Sequence, residues 1–145
     1  MPRRSSRAAT ISAIEDTGFV VGALDAADQW HAWAAREFPG IRSPALTCEA
    51  VISEACFQLR LVPHVRRQLL AWVECGGLMV CPMLPAEVHW VDRMLDRYGE
   101  GMDYADACLV RLSELHREHT IVTTDAKDFR GYRRFRREPL SLLIP

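Results

Sequence analysis

Short apolar runs alternate with stretches in which apolar positions recur every three or four residues, a pattern that predicts strands interleaved with amphipathic helices. A strand over residues 10–14 ends at Glu15, Asp16, Thr17 and Gly18, and apolar helical turns follow over 19–24. After a loop at 25–28, Asp28 is placed to cap a helix over 29–38 that turns Trp30, Trp33 and Ala34 inward. Pro39 and Gly40 break it, and 42–46 is a weaker strand. Thr47 is placed to cap a helix to about Arg60, with Val51, Ile52, Ala55 and Leu59 on one buried stripe. Pro63 opens a helix to about Cys75 with Leu69, Leu70 and Val73 inward, and Gly76 and Gly77 end it. A strand over 78–81 precedes a helix from Pro85 to about Tyr98, where Val88, Val91, Met94 and Leu95 recur at helical spacing. A helix over 102–118, a buried strand over 120–124 and a last strand over 139–144 complete the series.

Strands that alternate with helices favour an α/β fold, a mainly parallel sheet covered on both faces. Right-handed crossovers then bring the C-terminal ends of the strands to one edge, where open sheets of this class bind ligands. Asp16 and Asp125 each follow a predicted strand, so both fall on that edge. Asp103 and Asp106 lie three apart at the start of the helix over 102–118 and share one face of it. Glu54 reaches the same edge from the helix that follows the strand over 42–46, at the border of its apolar stripe, whereas Glu49 in the first turn is explained as a dipole partner. Taken singly, each aspartate has an ordinary reading as a cap or turn residue. Their convergence is what needs a chemical reason.

Composition narrows the classes. A chain of 145 residues, 49% hydrophobic and 26% charged, is long enough for one domain with its own core, read as 9–145 behind a basic tail at 1–8. No apolar run approaches the length of a membrane span and none follows the basic start as a signal peptide requires, so a cytoplasmic location without membrane attachment is the expectation. Five cysteines, odd in number and without a Cys-x-x-Cys pair, read as reduced core residues. His31 stands without a second ligand at metal spacing and reads as packing. The net charge of −1 announces no nucleic-acid binder, yet Arg130, Arg133, Arg134, Arg136 and Arg137 crowd one segment around Tyr132 and Phe135. That segment reads as a solvated strand or turn, with phosphate binding as the functional alternative.

Gathering Asp16, Glu54, Asp106 and Asp125 without a cation would set like charges together and raise their pKa values. A hard divalent ion removes that cost, and carboxylate oxygens suit Mg²⁺ or Mn²⁺. Such a site suits phosphodiester hydrolysis. At this point the order of motifs matters: strand-Asp16-Thr17-Gly18, then Thr47 to Glu54-Ala55, then Met102-Asp103-Tyr104-Ala105-Asp106-Ala107, then Thr123-Thr124-Asp125 with Asp128-Phe129 and Tyr132-Arg133. From Ile11 to Leu143 this resembles the PIN-domain family, and within it the VapC-type ribonuclease toxins of toxin-antitoxin modules.

The resemblance implies a three-layer α/β/α sandwich, an endoribonuclease dependent on Mg²⁺ or Mn²⁺, a homodimer and a cognate antitoxin protein. It implies that Asp16, Glu54, Asp106 and Asp125 form the catalytic, metal-holding set. Asp103 then matches an accessory acidic position and Thr123 a supporting hydroxyl. The RNA substrate is expected to meet the Arg130, Arg133, Arg134, Arg136 and Arg137 cluster. Alternatives are a solitary nuclease of this fold acting in RNA processing or on DNA, and a non-catalytic RNA- or partner-binding module. An aspartic protease, suggested by Asp16-Thr17-Gly18, would be nearly all β, against the helical patterns.

Overall fold

The computed structural model describes residues 10–145. Its strands are β1 (Ala13–Glu15), β2 (Ala45–Cys48), β3 (Leu78–Cys81), β4 (Thr120–Val122), β5 (Arg133–Arg134), β6 (Glu138–Pro139) and β7 (Leu142–Leu143). Its helices are α1 (Thr17–Leu24), α2 (His31–Glu37), α3 (Glu49–Gln58), α4 (Pro63–Glu74), α5 (Val88–Tyr98), α6 (Tyr104–Leu115) and α7 (Ala126–Gly131). Five strands form one parallel sheet of order β3-β2-β1-β4-β7, and β5 and β6 form a separate antiparallel hairpin. The basic tail at 1–8 lies outside the described residues.

The period-two alternation of β1 and β4 sorts the two faces of the sheet. Ile14 and Ile121 enter the larger core with Val51 and Ala55 of α3, Val65 and Leu69 of α4, Val91 and Met94 of α5, and Leu109 and Leu112 of α6. Ala13 and Val122 enter the smaller core with Phe19 of α1 and Trp33 and Ala34 of α2. The result is a three-layer α/β/α arrangement. Phe19 and Phe129 are fully buried, and each such side chain stabilises the fold by roughly 2–3 kcal/mol of transfer free energy. Among the described residues no helix is long and apolar enough to cross a membrane.

The structure moves several boundaries, each for a local reason. The second strand begins at Ala45 and not at Arg42, because Pro44 has no N–H; Ala45 makes the first ladder bond, to Gly77 O at 3.2 Å. Thr47 is no helix cap. It sits inside β2 opposite Val80, its Oγ1 donates to Glu15 O at 2.8 Å, and Cys48 takes the N-cap position of α3 without a side-chain bond. Asp28 accepts from Trp30 N at 2.8 Å, which makes a turn, and α2 starts only at His31. Leu70 (45% exposed) and Val88 (52% exposed) face solvent, because one turn of α4 or α5 brings only Leu69 or Val91 to the core. The helix expected from Pro85 starts at Val88, and that expected over 102–118 is Tyr104–Leu115. The strand expected over 139–144 divides into β6 and β7. His31 packs as expected, its Nδ1 within 2.7 Å of Gly22 O, linking α2 to α1.

Candidate functional site

Strand β1 lies between β2 and β4, so the C-terminal ends of β1 and β4 are neighbours. The ladder runs one residue past β1, with Asp16 N donating to Val122 O at 3.0 Å. That bond fixes Asp16 at the sheet edge, where it N-caps α1: Oδ1 accepts from Thr17 N at 2.7 Å. Oδ2 accepts from the fully buried Thr123 Oγ1 at 2.6 Å, and the same hydroxyl oxygen accepts from Asp125 N at 3.0 Å. Thr123 thus ties the two strand-end aspartates together.

Asp125 caps α7, its Oδ1 accepting from Asp128 N at 3.1 Å, and Asp103 caps α6, its Oδ1 accepting from Asp106 N at 2.8 Å. The cap reading of these residues is therefore correct as far as one oxygen goes. Asp106 is held from across the fold, where the Tyr132 hydroxyl lies 2.8 Å from its Oδ2 and 2.5 Å from Gly101 O. Glu54 is held at Oε2 by Thr17 Oγ1 at 3.0 Å. Among the described residues these bonds leave Glu54 Oε1 and Asp106 Oδ1 without a partner, while the Asp125 carboxylate lies against that of Asp128.

All four carboxylates line one cavity of about 420 Å³, together with Asp103, Asp128, Asp28 and Glu100. Among the described residues that line it there is no Lys, Arg or His. Glu49 lines a different cavity, beside Cys48 and Tyr104, so Glu54 alone of the two glutamates on α3 reaches the carboxylates. Gly18 lets α1 pass this close to β4: a Cβ there would stand 2.0 Å from Thr124 Oγ1.

The unbalanced charge shows in protonation. Burial pushes Asp16 up to about 6, with Glu54 and Asp103 adding repulsion and the Thr123 and Thr17 bonds opposing it. Burial likewise raises Asp106 to about 7, opposed by Tyr132 and reinforced by Asp103 and Asp16. Asp128 is raised by its neighbour Asp125. Glu15, on the other face of β1, is raised to about 8 by burial alone, and neither of its side-chain oxygens has a hydrogen-bond partner.

The donor set is all oxygen, carboxylate-rich and free of cations, which is the chemistry that suits Mg²⁺ or Mn²⁺. The spacing is looser than the chemistry. Among the described residues no three Asp, Glu, His or Cys side chains stand close enough to hold one ion as they are. Holding an ion at this place would require these side chains to come closer together than they stand, and neutralisation of their repulsion favours that approach.

The arginine cluster is not part of this cavity. Arg133 and Arg136 line a second one of about 470 Å³ that has no lining residue in common with the first. Arg134 is an internal clamp, bonded to Glu138 at 3.1 Å and to the carbonyls of Arg117 and Ser113 at 3.0 and 3.3 Å. Arg130 is exposed and gives its carbonyl to Arg133 Nη1, and Arg137 is exposed at the hairpin loop.

Reading the sequence did not assign roles to Thr17 and Tyr132, which orient Glu54 and Asp106. A hydroxyl directly after a strand-end aspartate is a usable signal for Thr17. Tyr132 stands in the motif order beside Arg133, but nothing local pairs it with Asp106, 26 residues away. Compared with known proteins, the chain matches no family model and no curated sequence.

Proposed function

We propose that the chain is a Mg²⁺- or Mn²⁺-dependent endoribonuclease of the PIN type, and that it serves as the toxin of a toxin-antitoxin pair. The observation that carries the nuclease reading is the cavity itself, in which Asp16, Glu54, Asp106 and Asp125 arrive from four separate parts of the chain with no cationic side chain among them. In this reading those four residues hold the ion. When bound, the ion supplies neutralisation of phosphate charge and a lowered water pKa. The chain contributes oxygen donors each tethered by a hydrogen bond: Thr123 and Thr17 N–H orient Asp16, Thr17 Oγ1 orients Glu54, and Tyr132 orients Asp106. Asp103 adds negative potential that favours the cation and raises the pKa values of Asp16 and Asp106, and Asp128 adds a further carboxylate beside Asp125. The toxin role, a homodimer and a cognate antitoxin rest on the motif resemblance alone.

Purified protein incubated with structured RNA and Mn²⁺ is expected to cut it. Asp16→Asn and Asp106→Asn are each expected to slow cleavage at least about a hundredfold, a barrier increase of roughly 2.7 kcal/mol, with circular dichroism unchanged. Mn²⁺ should raise the melting temperature of the wild type and not of the double variant. Undiminished cleavage by the pure double variant rejects the site. Growth arrest on expression, relieved by a co-expressed partner, tests the toxin role separately.

One observation favours a second reading. Because no three ligands among the described residues stand within reach of one ion, a non-catalytic RNA- or partner-binding module accounts for the described geometry as it stands. Absence of both cleavage and any Mn²⁺ effect on melting would select it.

A further inference from the structure

Helix α5, Arg111 and Glu114 of α6, and the β5–β6 hairpin line the second cavity, of about 470 Å³, whose lining is richer in arginine than in carboxylates. Trp90, Arg93 and Arg97 recur at i, i+3 and i+7, so they form one outward stripe of α5. Phe135 and Arg136 face them from the hairpin loop. Trp90 is 46% exposed and Phe135 39% exposed, two aromatic rings at one groove, and Arg117 lies 4.8 Å over the Phe135 ring. Arg111 lies 4.6 Å over the Trp90 ring but is neutralised by Glu87 at 2.7 Å and Glu114 at 3.3 Å. Among the described residues, Arg93, Arg97 and Arg136 make no ion pair; the carboxylates beside them are Asp96 and Glu114, the latter already paired with Arg111.

The loop that carries the aromatic ring is built against local preference. Arg137 N donates to Arg134 O at 3.2 Å, closing a turn whose two central residues, Phe135 and Arg136, have φ of 48° and 69°. Such turns favour Asn, Asp and Gly, because a Cβ in the left-handed region meets the following carbonyl. A bulky ring and an arginine held there together are strain stored where the side chains are useful. The hairpin is also bolted down: Arg133 N donates to Tyr98 Oη at 2.9 Å, and the Tyr98 and Tyr132 rings meet edge-on at 5.1 Å.

We infer that this cleft binds single-stranded nucleic acid, with bases stacking on Phe135 and Trp90 and phosphates meeting Arg93, Arg97 and Arg136. Stacking on aromatic faces beside a positive groove is the recurring physics of such sites. The cleft and the acidic cavity share no lining residue but are linked through consecutive residues, since Tyr132 bonds Asp106 while Arg133 lines the cleft. A strand anchored here continues toward the carboxylates. That continuation rests on the nuclease reading, whereas binding in the cleft does not.

The test is fluorescence anisotropy with a labelled twelve-nucleotide single strand, RNA in one arm and DNA in the other, in EDTA so that cleavage plays no part. Wild type is expected to bind at low salt. Phe135→Asn, which suits the turn better, is expected to melt no lower than wild type yet bind at least about tenfold more weakly. The triple variant Arg93→Gln, Arg97→Gln, Arg136→Gln is expected to lower the salt slope of log K by about two, from roughly 0.7 per phosphate contact. Equal RNA and DNA affinity, or preference for RNA, both support the cleft and differ only in whether the 2′-hydroxyl is read. Wild-type affinity in both variants, no binding by wild type, or equal binding of a duplex or a polyglutamate peptide would each overturn it. Binding without cleavage in Mn²⁺ would sink the nuclease reading and leave the cleft standing.

Discussion

Thr123→Val isolates the link between the two strand-end aspartates. Valine nearly matches threonine in shape but removes the hydroxyl that donates to Asp16 Oδ2 at 2.6 Å and accepts from Asp125 N at 3.0 Å. Above the Asp16 pKa of about 6, the first of these is a bond to a charged acceptor, worth roughly 1.5–3 kcal/mol. The second loss leaves a part-buried N–H without its partner and costs about 1 kcal/mol more. A loss of about 3 kcal/mol at pH 8 follows. At pH 5 Asp16 is largely protonated and the first bond is between neutral groups, so the loss falls to about 2 kcal/mol. The sign is fixed by linkage: the Thr123 bond lowers the Asp16 pKa, removing it raises that pKa further, and a raised acid loses stability as pH rises through its folded value. Urea unfolding in EDTA at both pH values, with unchanged m-values, measures the two losses, and Thr123→Ser should recover most of each. A loss below about 0.5 kcal/mol at both pH values, or a larger one at pH 5, refutes the reasoning.

Two further outcomes follow from the same charges. Asp16, Asp106 and Glu15 are raised to about 6, 7 and 8, above the values near 4 of the unfolded chain, so these three groups should make metal-free protein lose stability from about pH 4 to about pH 8, most steeply below pH 6. Mg²⁺ or Mn²⁺ should flatten the part owed to Asp16 and Asp106, visible as a melting-temperature gain that is larger at pH 8 than at pH 5. Glu15→Leu removes two buried oxygens without partners and should stabilise the chain by about 2 kcal/mol at pH 9, less at pH 6 where the native carboxyl is neutral. Chemical denaturation at the two pH values checks it.

The parallel sheet was legible because its strands are dense apolar runs: Ile121 and Val122 have no amphipathic alternative, and the intervening helices are long enough to show their period. The convergence of Asp16 and Asp125 needed only the direction of the crossovers. What escaped was decided by contacts between distant residues. Thr47 before a helix looks like a cap until β2 is paired, and only then does its hydroxyl find Glu15 O. Helix α7 is six residues long, too short for a period to register. The arginine run reads as one patch, whereas pairing of β5 with β6 buries the function of Arg134 in its own bonds and turns Arg133 and Arg136 toward α5. Tyr132 reaches Asp106 only because the chain returns past α6 after α7.

The left-handed pair at Phe135 and Arg136 has an evolutionary corollary. A library screened only for survival of heating would enrich Asn and Gly at these two positions early, since each relieves a local conflict without touching the sheet. A lineage that keeps an aromatic and a basic residue there despite that easy gain is under a second demand, one that heat does not measure. Sequencing the survivors of two parallel screens, one for heat and one for biological effect in cells, would display the two pressures pulling the same loop apart.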